Sequence, residues 1–463
     1  MKAETNRRAV LRGTAMGVAV AALAPPAFAA KPALFLPPPL PVFAPLQFSI
    51  KDFGAVGDGV TKNTAAIQQA LDRCCVLGGG TVEIPAGRFA SGTLYLRSNT
   101  RLFLAEGAEL LGSPDFADYP LTQLRWEGKW IKGHCSLIHA QDAENIALSG
   151  PGKITGNDAV AGMPSPSYPF RHPALIEPVG CRRVLLEGFS TSYDHMWNLH
   201  PTLCDDLTIR GLTIRSSQKG RDGIDIDSCR HVRIENCDIA TGDDCISLKS
   251  GRGMEAVVQA RPTEDVLITG CIFADWNWAC IGIGSEMSGG IRHVRIEHCK
   301  FLRAKTYAIY IKGQVGRGGF VEDIAVEHAD IAGAGLGAIR INFLSSGKHD
   351  ENQVPGLAGV PHLANFRFRN ITVGNVPQLV EGWEIHPDKP LEGLILEDIS
   401  GSAAKGIHLA HIRGTRVARV RIEGLSEPLL SALDVAGLGV DEAAPLTVPA
   451  PPELAPPADY TFK

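Results

Sequence analysis

Two adjacent carboxylates stand where a strand is expected to begin. In the stretch NCDIATGDDCISLKSG, residues 236–251, Asp243 and Asp244 lie between a glycine and a short apolar run. Like charges this close repel and shift each other's pKa values, so a protein with no task for them is expected to dilute them. A third carboxylate, Asp222, opens the related segment DGIDIDSC, residues 222–229.

Three carboxylates gathered at one place suit glycoside hydrolysis. One carboxylic acid protonates the leaving oxygen, while one or two carboxylates on the far side hold and deprotonate a water. A calcium site also uses clustered aspartates, and aspartates also cap turns by accepting backbone N–H groups. The residue types alone leave these three interpretations open.

Recurring strand patterns predict how the carboxylates meet. Between residues 183 and 330 a segment that alternates apolar and polar residues recurs about every 23 to 34 residues, as RVLLEGF, DLTIRGL, HVRIENC, DVLITGC, HVRIEHC and DIAVEHA. A second set interleaves with it, as WNLHP, GIDIDS, CISLKS, CIGIGS, AIYIKG and AIRINF. Two strand sets at one shared period, with no helical pattern between them, predict an all-β fold, a parallel β-helix with rungs about 4.8 Å apart.

Alignment of the second set predicts which side chains point outward. Stacking Trp197 and Ile224 on Ile246 places Asp222 on Asp244, with Asp243 one residue before it. One outward column then contains Asn198, Asp225, Ser247, Gly282, Tyr310 and Arg340. The neighbouring outward column contains His200, Asp227, Lys249, Gly284, Lys312 and Asn342. The three carboxylates are therefore expected at the mouth of two adjacent rungs.

The predicted β-helix is a single domain over residues 47–435, followed by a C-terminal tail at 436–463. An open coil exposes its core and its strand edges, so its N-terminal end needs a cap. The segment NTAAIQQALDRCC has helical spacing and is expected to form that cap.

Eleven cysteines are present, an odd number. In the alignment of the first strand set, one column contains Phe189, Leu212, Cys237, Cys271, Cys299 and Ala329. The pattern favours small buried core residues over a disulfide framework.

The N-terminal residues 1–29 have the features of an export signal. Arg7 and Arg8 precede a weakly apolar run that ends in a small-residue site at 27–29, and the arginine pair resembles a bacterial twin-arginine signal. We expect cleavage after Ala29, a proline-rich spacer at 30–46, and a periplasmic or extracellular protein. The alternatives are an ordinary secretory signal and a transmembrane anchor, and the run is too short and too broken by glycine and proline to span a bilayer well. The formal net charge of −5 gives no sign of a nucleic-acid or anionic-membrane partner.

At the aspartate segments the chain resembles glycoside hydrolase family 28, the polygalacturonase and rhamnogalacturonase group. The matching segments are DFGAVGDGVTKNTAAIQQAL, GGGTVEIPAGRF, LLGSPDFADYP, RWEG, DGIDIDSC, TGDDCISLKSG and IGSEMSGG. The first two are shared by other β-helix carbohydrate-active proteins and indicate the fold, whereas the aspartate motifs are more specific. The resemblance implies a right-handed parallel β-helix and an inverting hydrolase that needs no metal.

The resemblance also implies a role for each aspartate. Asp243 matches the family's general acid, and Asp222 with Asp244 matches the pair that activates water. Gly220 and Arg221 stand where the family's first motif has Asn and Thr.

Two further positions depart from the family pattern. Counting back from IGSE, the family's histidine position falls on Trp278, and its Arg-Ile-Lys reads YIK at Tyr310 to Lys312. Arg340, one rung beyond Tyr310, is predicted to supply the missing cation, so that Lys312 and Arg340 together hold one uronate. Trp278 and Tyr310 offer flat faces to a sugar ring. His200 is a weaker candidate for substrate contact, on the basis of its outward column.

The leading hypothesis is an exo-acting hydrolase of α-glycosidic bonds in galacturonide-containing pectic chains. It needs no cofactor, its partner is a pectic carbohydrate, it has no stable membrane association, and it is monomeric. The nearest alternative is an α-L-rhamnosidase-like hydrolase of rhamnogalacturonan fragments. A calcium-dependent β-helix polysaccharide lyase and a non-catalytic glycan-binding β-helix stay open. Product mass separates the classes, because a hydrolase adds water, a lyase leaves an unsaturated uronide and a binding protein changes nothing.

Overall fold

Residues in the left-handed region of φ and ψ turn the chain at the same point of successive coils. At the corner before the column of Phe189 these residues are Gly188, Gly211, Asn236, Gly270, His298 and His328, with φ between 54° and 80°. Glycine adopts this conformation freely, and asparagine and histidine adopt it more readily than branched residues do. The EGF, RGL, ENC and EHC patterns therefore mark the corner at which one strand ends and the next begins.

The structure, a computed structural model, describes residues 35–457 except 195, 218, 219 and 277. Parallel strands stack along it in three series. The first series contains Gln47–Ser49, Gly80–Ile84, Thr100–Leu104, Glu144–Ser149, Arg182–Glu187, Asp205–Arg210, Arg230–Glu235, Thr263–Thr269, Ile291–Glu297, Phe320–Ile331, His362–Glu384 and Leu391–Glu423. The second contains Asp58–Lys62, Gly87–Ser91, Ala108–Gly112, Lys153–Thr155, Ser190–Ser192, Thr213–Arg215, Asp238–Thr241, Ile272–Asp275 and Lys300–Arg303.

The third series carries the site. It contains Leu94–Tyr95, Ile138–Gln141, Ile176–Val179, β1 (Ile224–Asp227), β2 (Ile246–Lys249), β3 (Ile281–Ile283), β4 (Tyr307–Lys312), β5 (Gly337–Asn342), Leu430–Leu438 and Ala444–Pro445. The longest strands pass round a corner and so belong to more than one series. The prediction of an all-β parallel β-helix is confirmed. The sequence did not reveal the second series, because its strands of three to five residues are too short to show a period.

Two short α-helices and an antiparallel hairpin lie outside the three series. Helix α1 (Thr64–Val76) packs its apolar face against the first rungs, as predicted for the cap, and α2 (Gly253–Gln259) follows β2. The hairpin pairs Leu121–Trp126 with Lys129–His134. Single 3-10 turns occur at Ile50–Phe53, Phe116–Asp118, Asp158–Val160 and Gly356–Gly359.

The register of β1 to β5 confirms the predicted stacking. Tyr310 pairs with Arg340, and Lys312 pairs with Asn342. The inward residues that stack from rung to rung are Ile224, Ile246, Ile281, Ile309 and Ile339. Each of them is at most 1% exposed, so one apolar column fixes the height of every outward side chain beside it.

The prediction for the first rung of the inward column is wrong. Leu199 pairs with Ile224, whereas the alignment placed Trp197 there. A shift of two residues preserves the inward and outward alternation, so a period-two pattern cannot detect it. His200 consequently lies level with Asp225 and not with Asp227.

The cysteines are core residues, as predicted. All eleven are free thiols, and ten of them are buried. Cys237, Cys271 and Cys299 lie on consecutive rungs, linked by the parallel backbone hydrogen bonds that their neighbours make. Their side chains fill the small space inside the corner that left-handed residues create.

The segments just outside both ends of the predicted domain contact the β-helix. Val42, in the proline-rich segment, exchanges hydrogen bonds of 3.0 and 2.7 Å with the side chain of Asn145. At the other end, Leu430–Leu438 and Ala444–Pro445 continue the third series past residue 435. The predicted signal at 1–29 lies outside the described residues. Within the described part of the chain, no helix is long and apolar enough to cross a membrane.

Candidate active site

The register of β1 and β2 brings the three predicted aspartates together. Gly223 N–H donates to the carbonyl of Asp244 at 3.0 Å, which sets the turns before the two strands one above the other. Asp222 and Asp244 are only 6% and 2% exposed, whereas Asp243 is half-buried. Asp243 is thus the carboxyl of the three that a ligand can reach most easily.

Asp243 carries a proton at neutral pH. Burial, followed by the charges of Asp222 and Asp244, raises the pKa of Asp243 to about 8, and Lys312 opposes part of this rise. Its Oδ1 accepts a hydrogen bond of 3.0 Å from the backbone N–H of Asp244. A protonated carboxyl in a cleft can donate its proton to a leaving group.

Asp244 is hydrogen-bonded to a buried lysine and a serine. Its Oδ2 accepts hydrogen bonds from Lys312 Nζ at 2.8 Å and from Ser247 Oγ at 3.0 Å. A buried ammonium group this close favours the ionised form of its partner. Oδ1 of Asp244 is buried and makes no hydrogen bond to the described residues.

A second buried lysine links the remaining carboxylates. Lys249 Nζ lies 3.2 Å from Asp225, 3.6 Å from Asp222 and 3.6 Å from Glu286. Burial and the neighbouring Asp225 raise the pKa of Asp222 well above its ordinary value, against the pull of Lys249. Burial likewise raises the pKa of Asp225 to about 7. Burial thus works against the charged form of both Asp222 and Asp225.

Glu286 completes the charge balance. Burial works against its ionised form, but Lys249, Arg317 and Lys312 together lower the pKa of Glu286 to about 2. Glu286 is thus a counter-charge for Lys249.

The structure gives both predicted uronate ligands internal partners. Lys312 is hydrogen-bonded to Asp244, and Arg340 Nε donates to Glu384 at 3.1 Å. Tyr310 is only 6% exposed, because Arg340 and Lys312 lie over its ring at 5.4 and 5.3 Å from the centroid. Lys312 and Arg340 are thus each bound by a carboxylate of the chain itself, and the clamp expected of them stays a prediction, as does the sugar-facing surface of Tyr310.

Of the two remaining candidates for substrate contact, Trp278 is open to a ligand and His200 is buried. Trp278 is 39% exposed, with its ring 5.8 Å from Lys312 Nζ, so its face is open to a ligand. When the pairing of Ile246 with Ile281 is continued backward along both segments, Trp278 lies level with Asp243 and Ala279 lies level with Asp244. His200 is fully buried and hydrogen-bonded to Glu177, so it cannot touch substrate. Its predicted column was shifted by two residues.

The rungs before the aspartates are covered. Arg125 of the hairpin donates to Asp227 at 3.1 Å, and Arg171 binds Glu177 through two hydrogen bonds of 2.6 and 3.1 Å. Arg171 also donates to the carbonyl of Arg125 at 3.1 Å. All four side chains are at most 1% exposed. The outward face of these rungs is thus closed to a polysaccharide chain.

Tryptophans and ion pairs extend this closure. Trp126 of the hairpin packs on Trp197, with ring centroids 4.4 Å apart. At the hairpin tip, Glu127 pairs with Lys348 at 2.6 Å, a residue of the segment that follows β5. Beside it, Arg252 N–H donates to the carbonyl of Gly128 at 3.1 Å. The hairpin, the start of α2 and the segment after β5 form one continuous wall.

The ammonium groups of Lys249 and Lys312 occupy the positions beside the carboxylates that a bound metal cation would need. Lys312 contacts Asp244, and Lys249 lies among Asp222, Asp225 and Glu286. Over residues 35–457, apart from the four gaps, no three His, Cys, Asp or Glu side chains are grouped to hold a metal ion.

The residues that sequence reasoning missed are the ones that hold the aspartates. Ser247, Gly282 and Lys249 stand in the predicted outward columns, but the columns gave no sign of which side chains meet. A Cβ on Gly282 would overlap Asp244 Oδ2 and come within 3.2 Å of Ser247 Oγ. Glycine at this position leaves the space that Asp244 occupies.

Gly282→Ala is expected to reduce kcat by about 10²-fold, because the added methyl displaces Asp244 from Lys312 and Ser247. Gly333→Ala is the matched control, since a Cβ there meets only one atom, at 4.0 Å. Steady-state kinetics and melting temperature of both variants provide the measurement. A Gly282→Ala enzyme with at least half of the wild-type kcat would contradict this account of Asp244.

Comparisons with known proteins agree with this geometry. The family model of Glycosyl hydrolases family 28 matches residues 80–400. "Probable polygalacturonase" of Vitis vinifera is 30% identical over 378 residues, which are 78% of this chain and 74% of that protein. "Exo-poly-alpha-D-galacturonosidase" of Dickeya chrysanthemi is 27% identical, over 55% of this chain and 50% of that protein.

The fold is also found among solved structures. The exopolygalacturonase of Thermotoga maritima superposes with a TM-score of 0.67 and 23% identity, over 90% of this chain and 97% of that one. This likeness shows the parallel β-helix. The family match over residues 80–400 and the Vitis vinifera relative show more: the chain belongs to glycosyl hydrolases family 28 and is a glycoside hydrolase.

Proposed function

We propose that the protein is an exo-acting, inverting hydrolase of α-glycosidic bonds in galacturonide-containing pectic oligo- or polysaccharides. The observation that carries this proposal is the contrast between Asp243, whose pKa is raised to about 8 by burial and two neighbouring carboxyl groups, and Asp244, whose Oδ2 accepts a hydrogen bond from Lys312. Two carboxyl groups with such different surroundings are what acid and base catalysis of glycoside hydrolysis requires.

Asp243 acts as the general acid and donates its proton to the leaving glycosidic oxygen. Asp244 and Asp222 hold the attacking water, and Asp244 takes its proton. Oδ1 of Asp244 supports this role, because it has no hydrogen-bond partner among the described residues and can accept one from water. Lys312 and Lys249 position the two carboxylates and do not touch the reacting bond.

Exo action is supported by the covered rungs. The buried pair of Arg125 with Asp227 closes the outward face at the end of the Asp222 rung, and that of Arg171 with Glu177 closes it two rungs earlier. A chain can therefore extend from the cleaved bond in one direction only, so cleavage takes place near a chain end. The name of the Dickeya chrysanthemi relative, an exo-poly-alpha-D-galacturonosidase, agrees with this mode of action.

The pectic substrate, the place of action and the monomeric state complete the proposal. The names of the relatives support a galacturonide substrate. The arginine pair and the small-residue site of residues 1–29 support export to the periplasm or beyond the cell. An exported protein that begins at residue 30 by N-terminal sequencing would fit this, whereas retention of residues 1–29 would not. A mass near 49.4 kDa or below in light scattering would fit a monomer.

Asp243→Asn is expected to reduce turnover by several orders of magnitude with little change in substrate affinity, because an amide cannot supply the proton. In the wild type, kcat/KM is expected to fall as the pH rises through about 8, since Asp243 loses its proton there. Asp238→Asn is the control, because that side chain is half exposed and pairs with Arg215 outside the site. Retention of more than about a tenth of wild-type turnover by Asp243→Asn would reject Asp243 as the acid.

Digestion of a long pectic chain is expected to release one short product from the start, with little loss of viscosity. The covered rungs impose this result, because they block the chain on one side of the cleaved bond. Viscometry alongside a reducing-end assay measures it. A rapid loss of viscosity at low conversion, with products of many lengths, would show that the groove is open at both ends.

A further inference from the structure

We infer that the sugar on the open side of the cleaved bond is bound as a neutral residue, because the subsite there holds more carboxylates than cations. The inference rests on the proposed function and names the substrate chemistry at the same site. The residues that form this subsite, called the Arg340 cluster, are Tyr307, Tyr310, Arg340, Glu381 and Glu384.

The Arg340 cluster is continuous with the catalytic aspartates. Lys312, hydrogen-bonded to Asp244, lies over the ring of Tyr310. Arg340 lies over the same ring and pairs in register with Tyr310 on one side and with Glu381 on the other. Successive rungs rise by about 4.8 Å, so these residues follow the site on the side away from the covered rungs.

The charges within the cluster do not balance. Arg340 is hydrogen-bonded to Glu384 through two of its nitrogens, and its Nη2 also lies 4.0 Å from Glu381. Its Nη1 donates to the hydroxyl of Tyr307 at 3.2 Å, and that hydroxyl donates to Glu381. One guanidinium group therefore serves two carboxylates. Lys312, which also lies over the ring of Tyr310, already pairs with Asp244.

A uronate here would bring a third carboxylate against an already satisfied cation. Like charges brought together at a partly desolvated site are strongly disfavoured. The side chains of Arg340 and Glu381 are 21% and 19% exposed, so a bound sugar reaches them and is affected by their charge. The cluster therefore selects against a free uronate at this position.

The same groups suit a neutral sugar. Glu381, whose side chain is 19% exposed, can accept a hydrogen bond from a sugar hydroxyl, and such charge-assisted bonds are strong. Trp278, which is half exposed beside Lys312, supplies a flat face for a ring. A deoxyhexose such as rhamnose, or a galacturonate whose carboxyl is esterified, has the chemistry that this subsite recognises.

Two matched substrates test the inference. One is digalacturonate. The other is the same disaccharide with a methyl ester only on the sugar that occupies the open side of the cleaved bond, so that the linkage is constant and one charge differs. The wild type is expected to have a kcat/KM at least about tenfold higher on the ester. Equal or faster cleavage of the free acid would overturn the inference, and this comparison depends on no variant.

Glu381→Gln is expected to reduce the ester-to-acid ratio of kcat/KM at least about fivefold, because it removes one of the two carboxylates. Glu187→Gln is the matched control, since that residue pairs with Arg210 at 2.6 Å on the first strand series, outside the Arg340 cluster. An unchanged ratio in a folded Glu381→Gln enzyme, or the same change in the control, would also overturn the inference.

Binding of both disaccharides to Asp243→Asn separates this inference from the proposed function. If neither substrate is cleaved by the wild type but the ester binds the variant more tightly, the proposed function fails and the neutral subsite stands. If both are cleaved and bound without preference, the subsite inference fails and the hydrolase stands.

Discussion

The in-register parallel stacking of β1 to β5 is the constraint on which the site depends. One apolar column of isoleucines fixes the height of each strand, so outward side chains on adjacent rungs face each other about 4.8 Å apart. A side chain in such a ladder must suit the one above and the one below. The fold therefore brings Asp222 and Asp244 together, and it also decides which residues can balance their charge.

The charge balance is the second requirement of this arrangement. Four aspartates and Glu286 gather around Lys249 and Lys312, and both lysines are nearly buried. Buried charges are tolerated only when they are paired, and removing one partner of a buried pair commonly costs about 3 to 5 kcal/mol. Burial, followed by the like charges of Asp222 and Asp244, raises the pKa of Asp243 to about 8. A carboxyl group with a raised pKa is what the proposed role of Asp243 as an acid requires.

Periodicity was enough to predict the stacking from β1 onward, and with it the positions of Asp222, Lys312 and Arg340. It could not locate the preceding rung, because a two-residue shift gives the same alternation, and His200 was misplaced for that reason. Nor could it reveal the partner of Arg340, because Glu384 lies 44 residues later in the chain, where the strand has an irregular register. The sequence also did not predict that the hairpin buries the outward face of these rungs, since no local pattern indicates which residues Arg125 and Arg171 contact.

In the proposed reaction, a water held by Asp244 and Asp222 attacks the anomeric carbon directly while Asp243 protonates the leaving oxygen. Proton NMR of the first product, recorded before mutarotation, tests this claim most directly. A single displacement by water inverts the anomeric centre. An α-linked substrate is therefore predicted to release the β-anomer first, whereas initial release of the α-anomer would contradict the account.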